Sequence, residues 1–234
     1  MRRILFLALM LGLFACFSPT PAEEVALETD DQKVLYAVGQ ALARNIANLE
    51  FTPEEMVYVN AGVNEGASGA EPRVDMTVYG PMLDASMRTR MNVVIQKERE
   101  ASQSYCDAQA AEAGAEKLAS GMVFQTISEG DGPAPTPSDT VKVHYHGTLR
   151  DGTVFDSTRD GEPAEFSVGG VIPCFSEGLQ KVKVGGKARL TCPADIAYGD
   201  RGRPGSIKPG AALTFEIEVV AVIPSTEPQA APVP

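Results

Sequence analysis

The chain's two histidines, His144 and His146, stand two residues apart in a stretch of alternating character. Val141, Val143 and Tyr145 point one way there, and Lys142, His144 and His146 the other, as on a strand. Two imidazoles on one strand face are a start toward a metal site. Metal sites need three or four ligands, however, and no further ligand is near in sequence, so surface histidines are the plainer reading. This half of the chain also offers no Ser-His-Asp order, no CxxC pair and no glycine loop leading into a helix to cradle a phosphate. What remains for chemistry is apolar. Tyr145, Phe155, Phe166, Val171, Ile172, Phe175, Tyr198, Ile207 and Phe215 lie near turns, where binding pockets often open. Singly each reads as core, since apolar side chains are usually inside.

The elements that must position these residues begin at Gly121, where glycine and proline become frequent and alternation replaces helical spacing. Ala188, Leu190 and Cys192 alternate with Lys187, Arg189 and Thr191. Leu213, Phe215, Ile217 and Val219 alternate with Thr214, Glu216 and Glu218. That pattern predicts an antiparallel sheet with one wet face. Ser176 to Lys181 is the one plausible helix of this half, with Phe175 and Leu179 on one side. A sheet wrapped on a single short helix is an α+β arrangement.

The N-terminal half reads as helical. Val34, Leu35, Val38, Leu42, Ile46 and Leu49 recur at helical spacing. A second helix starts with agreeing signals: Thr52 can cap it, Pro53 suits its first position and Glu55 completes a capping box. Gly66, Gly69 and Pro72 end it. From about Asp75 to Ala119 runs a third stretch of good helix formers, about 60 Å long if it is one helix. No small domain covers such a length, so it is a spacer, a dimer element or both. Three helices with few large aromatics are thin material for a core, which favours pairing between two copies over a bundle folded back on the C-terminal half.

The formal charge of −11 argues against nucleic acid as a partner. Arg2 and Arg3 precede an apolar run from Ile4 to Cys16, too short to span a membrane comfortably, which reads as a secretion signal. Leu13-Phe14-Ala15 before Cys16 is similar to a lipidation site, although Phe14 fits it poorly; cleavage near Ala22 is the alternative. The expected organisation is a signal peptide over 1–22, a helical dimerisation domain over 23–84, a connecting helix over 85–120, a sheet domain over 121–223 and a disordered tail over 224–234.

Val143-His144-Tyr145-His146-Gly147-Thr148-Leu149, Asp151-Gly152, Phe155-Asp156-Ser157, Phe166-Ser167-Val168-Gly169, Val171-Ile172, Glu177-Gly178-Leu179, Gly185-Gly186-Lys187, Ala197-Tyr198-Gly199 and Leu213-Thr214-Phe215 follow one another in an order and spacing that resembles the FK506-binding family of peptidyl-prolyl cis-trans isomerases. Asp31-Gln32-Lys33, Tyr36-Ala37-Val38-Gly39 and Val74-Asp75-Met76 resemble the dimerisation domain of its periplasmic, macrophage-infectivity-potentiator type. The resemblance implies an antiparallel half-barrel around a short helix, with an apolar cavity between them. Tyr145, Phe155, Asp156, Phe166, Val171, Ile172, Phe175, Tyr198, Ile207 and Phe215 would line it. By the same resemblance the Tyr198 hydroxyl and the Ile172 N–H would hold substrate carbonyls, and Asp156 would polarise the pocket edge through a neighbouring tyrosine or arginine. No cofactor, metal or covalent intermediate is required.

The chain departs from the family at three places. Phe175 stands where the pocket floor is usually Trp, Ala164 where many relatives have an aromatic, and Arg203 where the flap often carries a histidine or another polar residue. In the family fold Cys174 and Cys192 belong to elements that pack together, so in an oxidising compartment they could form a disulfide; two buried thiols is the other reading. Cys106 is then unpaired. The implied function is isomerisation of X-Pro bonds in unfolded or partly folded exported proteins, by a homodimer in the periplasm or anchored through Cys16 to the outer membrane. The alternative is a dimeric holdase with a weak or idle pocket.

Overall fold

The computed structural model describes residues 25–225. The expected signal over 1–22 with its Cys16, and the tail from residue 226, lie outside the described residues. The chain divides into two compact units, one of residues up to Gly39 with Phe51–Val74, the other of Gln40–Glu50 with Asp75 onward.

Helix α1 (Asp30–Ala43) opens on a capping box: the Thr29 hydroxyl accepts from Gln32 N at 3.3 Å and Gln32 Oε1 accepts from Thr29 N at 2.9 Å. Helix α2 (Pro53–Ser68) carries the expected box of Thr52 and Glu55, and Gly69 closes it in the left-handed conformation. Neither helix buries a single residue. Val34, Leu35, Val38, Val57 and Tyr58 are all more than half exposed. The first helix was expected to continue to Leu49 but stops at Ala43. Asn45 N and its side-chain amide both donate to Leu42 O, and Ile46 N donates to Ala43 O, which tightens the chain into a 3₁₀ turn over Ala47–Leu49.

The second unit contains α3 (Met76–Ala110) and the sheet. Asp75 caps α3, and Pro81 falls near its start, where little is lost. The helix ends before the expected Ala119, because Gly114 adopts φ +79° and turns the chain into a strand. The strands are β1 (Ala115–Lys117), β2 (Val123–Ser128), β3 (Thr140–Leu149), β4 (Val154–Ser157), β5 (Ala164–Ser167), β6 (Lys187–Cys192) and β7 (Leu213–Ile223). The sheet therefore starts at Ala115 rather than at Gly121. Their order is β1-β2-β6-β7-β3-β4, all antiparallel, with β5 beside the first half of β3 and β4 beside its second half. Helix α4 (Pro173–Lys181) lies against the inner face and starts earlier than expected, since Pro173 takes its first helical position.

The inner face carries the core. Val141, Val143, Leu190, Leu213, Ile217 and Val219 bury against Leu179 and Phe175 of α4. The outer face is wet only in part. α3 covers the end that holds Thr191 and Thr214, and the Tyr105 and Thr214 hydroxyls meet at 2.8 Å. Ser102 Oγ accepts from Ala212 N at 2.8 Å, and Glu98 takes a two-pronged contact from Arg150. The second half of the long helix is thus bound to the sheet rather than a free spacer. Cys106 lies beneath it, and burial pushes its thiol up to about 11; so enclosed a group is no cross-link between copies.

A disulfide joins Cys174 at the head of α4 to Cys192 at the end of β6, with Cα atoms 5.8 Å apart. It closes a loop across 18 residues of sequence. Replacing both cysteines by Ala is expected to lower unfolding free energy in urea by about 3 kcal/mol, the loop-closure value; an unchanged midpoint would show that packing alone holds α4.

Candidate active site

The space between α4 and the concave face of the sheet is a cavity of ≈ 350 Å³. It is lined by Tyr145, Phe155, Asp156, Phe166, Gly170, Val171, Ile172, Phe175, Tyr198 and Phe215. Each element contributes where the strand period or helix start aims it. β3 turns Tyr145 inward two residues after Val143, and β7 turns Phe215 inward between Leu213 and Ile217. The start of α4 at Pro173 presents Phe175 from the helix's first turn to the sheet, where it is 4% exposed.

Phe175 is the floor, and three other rings stand on it. Its ring centroid lies 5.0 Å from Phe215, 5.9 Å from Tyr145 and 5.8 Å from Phe166, all edge to face. Phe155 completes the wall, 5.5 Å from Phe215. Edge-to-face pairs put a positive ring rim against a negative ring face, so the box is favourable as well as apolar.

Polar groups are few and sit at the rim. The Tyr145 phenol is pushed up to about 12, first by burial and then by the Asp156 carboxylate beside it, which accepts from the hydroxyl and repels its anion. It is therefore a neutral donor at any physiological pH. Asp156 also pairs with Arg203 at 3.7 Å. Among the described residues the protein offers no hydrogen-bond partner to the Tyr198 hydroxyl, nor any acceptor for the Ile172 N–H, so both are available to a ligand.

All the residues named from sequence line this cavity except Ile207. That side chain is 2% exposed in the core, and its main chain is bonded both ways to Arg203, so it shapes the flap from behind. Ala164 pairs with Val143 in the sheet and does not line the cavity. The histidines stand on the outer face, His144 Nδ1 3.3 Å from Thr158 Oγ1 and His146 Nδ1 3.0 Å from Ser157 Oγ. Two contributors went unrecognised in the sequence. Gly170 is part of the wall. Gly147 makes room for another part: a Cβ there would stand 2.6 Å from Phe155 Cζ. The signal was a glycine inside a strand pattern, which marks a close approach.

An antiparallel sheet around one short helix, with a ring-lined hollow between them, is the architecture implied by the FK506-binding resemblance. The family model for FKBP-type peptidyl-prolyl cis-trans isomerases matches residues 132–220. The FKBP-type isomerase FkpA of Escherichia coli strain K12 is 33% identical over 94% of this chain and 87% of its own. The outer membrane protein MIP of Legionella longbeachae is 33% identical over 95% and 98%. The crystal structure of FkpA from Escherichia coli covers 85% of this chain and 99% of that one, with a TM-score of 0.63. The chain belongs to the FKBP-type peptidyl-prolyl cis-trans isomerase family.

Because Gly147 shares its space with the Phe155 ring, Gly147→Ala must push that wall inward. We expect it to cost about 1–3 kcal/mol of stability as overpacking, and to lower kcat/KM on a proline peptide by about tenfold through the displaced wall. Urea unfolding and a peptide assay on one preparation measure both.

Proposed function

We propose that X-Pro peptide bonds turn in this cavity, with Tyr145, Asp156 and Tyr198 as the polar groups of the reaction and the surrounding rings and aliphatic side chains as its solvent. A peptide C–N bond resists rotation by about 18–20 kcal/mol because resonance gives it double-bond character. Water stabilises the charge-separated planar form. A dry, ring-lined hollow stabilises it less, while the twisted amide, having lost its resonance, loses little on transfer. Every 1.36 kcal/mol of that difference is tenfold in rate. The single observation that carries this reading is the box of edge-to-face rings on Phe175, with polar groups only at its rim.

The Tyr198 hydroxyl and the Ile172 N–H would hold substrate carbonyls on either side of the proline, both being donors without a protein acceptor. Tyr145, kept protonated, would donate to Asp156 and hold that carboxylate at the edge of the hollow. Phe175 keeps the floor apolar although it lacks an indole donor, which supports catalysis over an idle pocket. Tyr198→Phe is expected to lower kcat/KM on a proline tetrapeptide by about tenfold, the worth of one hydrogen bond, with unfolding unchanged. A protease-free assay reads it. Full acceleration by the variant would remove Tyr198 from the mechanism, and a wild-type protein that accelerates nothing while still suppressing aggregation would replace the enzyme by a holdase.

The substrates we infer are proline-containing chains still folding after export. The basic-then-apolar N-terminal segment supports this, as does the name of the outer membrane relative; Cys16 would be the point of lipid attachment. We further infer a homodimer formed by α1 and α2, since these helices have no buried residue of their own. Val34 and Leu35, 63% and 70% exposed, are the test positions. Sedimentation equilibrium should give a dimer for the wild type and a monomer for Val34→Glu with Leu35→Glu. A dimer that survives both charges would move the interface elsewhere.

A further inference from the structure

Tyr198 sits in a segment with little secondary structure to hold it. From Ala194 to Gly210 the chain forms two 3₁₀ turns, Ala194–Ile196 and Gly199–Arg201, and one isolated bridge, Arg203 to Ile207. No strand ladder sets its height above the cavity. What does reach it is α3. Arg99 Nη2 donates to Asp195 Oδ1 at 2.8 Å and Arg99 Nε donates to Asp200 Oδ1 at 2.7 Å, so one guanidinium grips the loop three residues before Tyr198 and two after it. Gly199 O accepts from Gly210 N at 2.9 Å. Gly210 in turn rests on α3, where an added Cβ would lie 3.0 Å from both Ile95 O and Arg99 Cγ. A second ionic group repeats the pattern at the other end of the flap. Glu50 accepts from Lys208 at 3.0 Å and from Lys97 of α3 at 3.3 Å.

From this we propose that Arg99 is a positioning residue for the isomerase reaction, setting the place of the Tyr198 hydroxyl over the cavity. The inference rests on the reading of Tyr198 as a group that binds substrate. Its physical basis is the difference between what such a contact does for stability and what it does for geometry. The carboxylates of Asp195 and Asp200 are 73% and 55% exposed, and ion pairs so wet add little to folding. A planar guanidinium with two donors in fixed directions nonetheless specifies where both carboxylates must be, and Tyr198 is strung between them. The long helix, otherwise remote from the cavity, is in this way part of the catalytic scaffold. Through Asp156, which pairs with Arg203 of the same flap, the loop is tied to the sheet on its opposite side.

The test is a double-mutant cycle on the full chain with a proline tetrapeptide. Arg99→Gln should lower kcat/KM by about tenfold, the scale of a small misplacement of a reacting group, while the thermal midpoint moves by no more than about 5 °C. In a Tyr198→Phe background the same change should alter kcat/KM by less than about twofold, since the two act as one. Arg99→Lys, which keeps the charge and loses the fork, should recover part of the rate. A wild-type rate for Arg99→Gln, or the same fold loss in both backgrounds, overturns the inference. Should Arg99→Gln fail to fold, Asp195→Asn with Asp200→Asn is read by the same criteria. Tyr198→Phe with no effect alone would instead refute the role of Tyr198, and the inference with it, a result separable from failure of the Arg99 arm.

Discussion

Water must stay out of the space above the Phe175 ring. The planar amide is favoured by solvent, so a site that works by denying solvent depends on a floor that does not move and walls that leave no gap. Phe175 meets this demand by touching three rings, and it can do so only because α4 is held against the inner face of the sheet. Cys174, its neighbour, is bonded to β6. Gly178, one turn further along α4, lets the helix come so near that a Cβ would fall 2.3 Å from Leu190 Cδ1. The covalent link and the missing side chain serve one end, since each fixes the separation between helix and sheet that the cavity requires.

The walls obey the same constraint. Phe155 comes from the short strand β4 on the sheet's open edge, and its ring lies where Gly147 has no side chain. An edge strand of four residues has few bonds of its own. Its register is held from outside by Thr158, whose hydroxyl accepts from Tyr145 N at 2.9 Å, and by Ser157 against His146. The outward histidines thus help keep Asp156 and Phe155 facing inward. The rim is built with equal economy of charge: the Asp156 carboxylate, the Arg203 guanidinium, and two phenols, of which Tyr145 is kept neutral by burial and that carboxylate.

Much of this was legible from residue types. Period-two alternation identified β3, β6 and β7 with the correct inner face, because a strand half-buried on one side can hide its pattern from neither solvent nor core. Thr52-Pro53-Glu54-Glu55 announced α2 through local hydrogen bonding alone. The cavity residues were legible only as an ordered set, since a buried ring in a pocket and one in solid packing look alike in sequence; Ile207 is the case where the set misled. The short break after Ala43 and the stop of α3 before Ala119 were not legible. One depends on an Asn side chain competing for a main-chain carbonyl, the other on a glycine entering left-handed backbone, and runs of alanine give no sign of either. The docking of α3 was hidden for another reason. Beside the buried Val94, Ile95 and Cys106, its bonds are made by Glu98, Arg99, Ser102 and Tyr105, polar residues that a hydrophobic period counts as solvent-facing.

That Phe175 stands where the family resemblance implies tryptophan bears on how the proposed reaction divides its work. An indole floor would supply area and one N–H donor. A phenyl floor supplies only area, and the structure compensates by closing the floor with edge-on rings rather than with a polar contact. In the proposed reaction every hydrogen bond to substrate would then come from the rim, from the Tyr198 hydroxyl and the Ile172 N–H. The Ile172 N–H is main chain at the head of α4, set by the same helix placement that sets Phe175. The Tyr198 hydroxyl is at the end of a long side chain on a loop with no ladder to hold it. A floor that gives no directional contact leaves substrate orientation more dependent on that loop, and so on whatever holds the loop still. On the proposed role of Arg99, the grip of α3 on Asp195 and Asp200 would therefore matter more in a chain with Phe175 than beneath an indole.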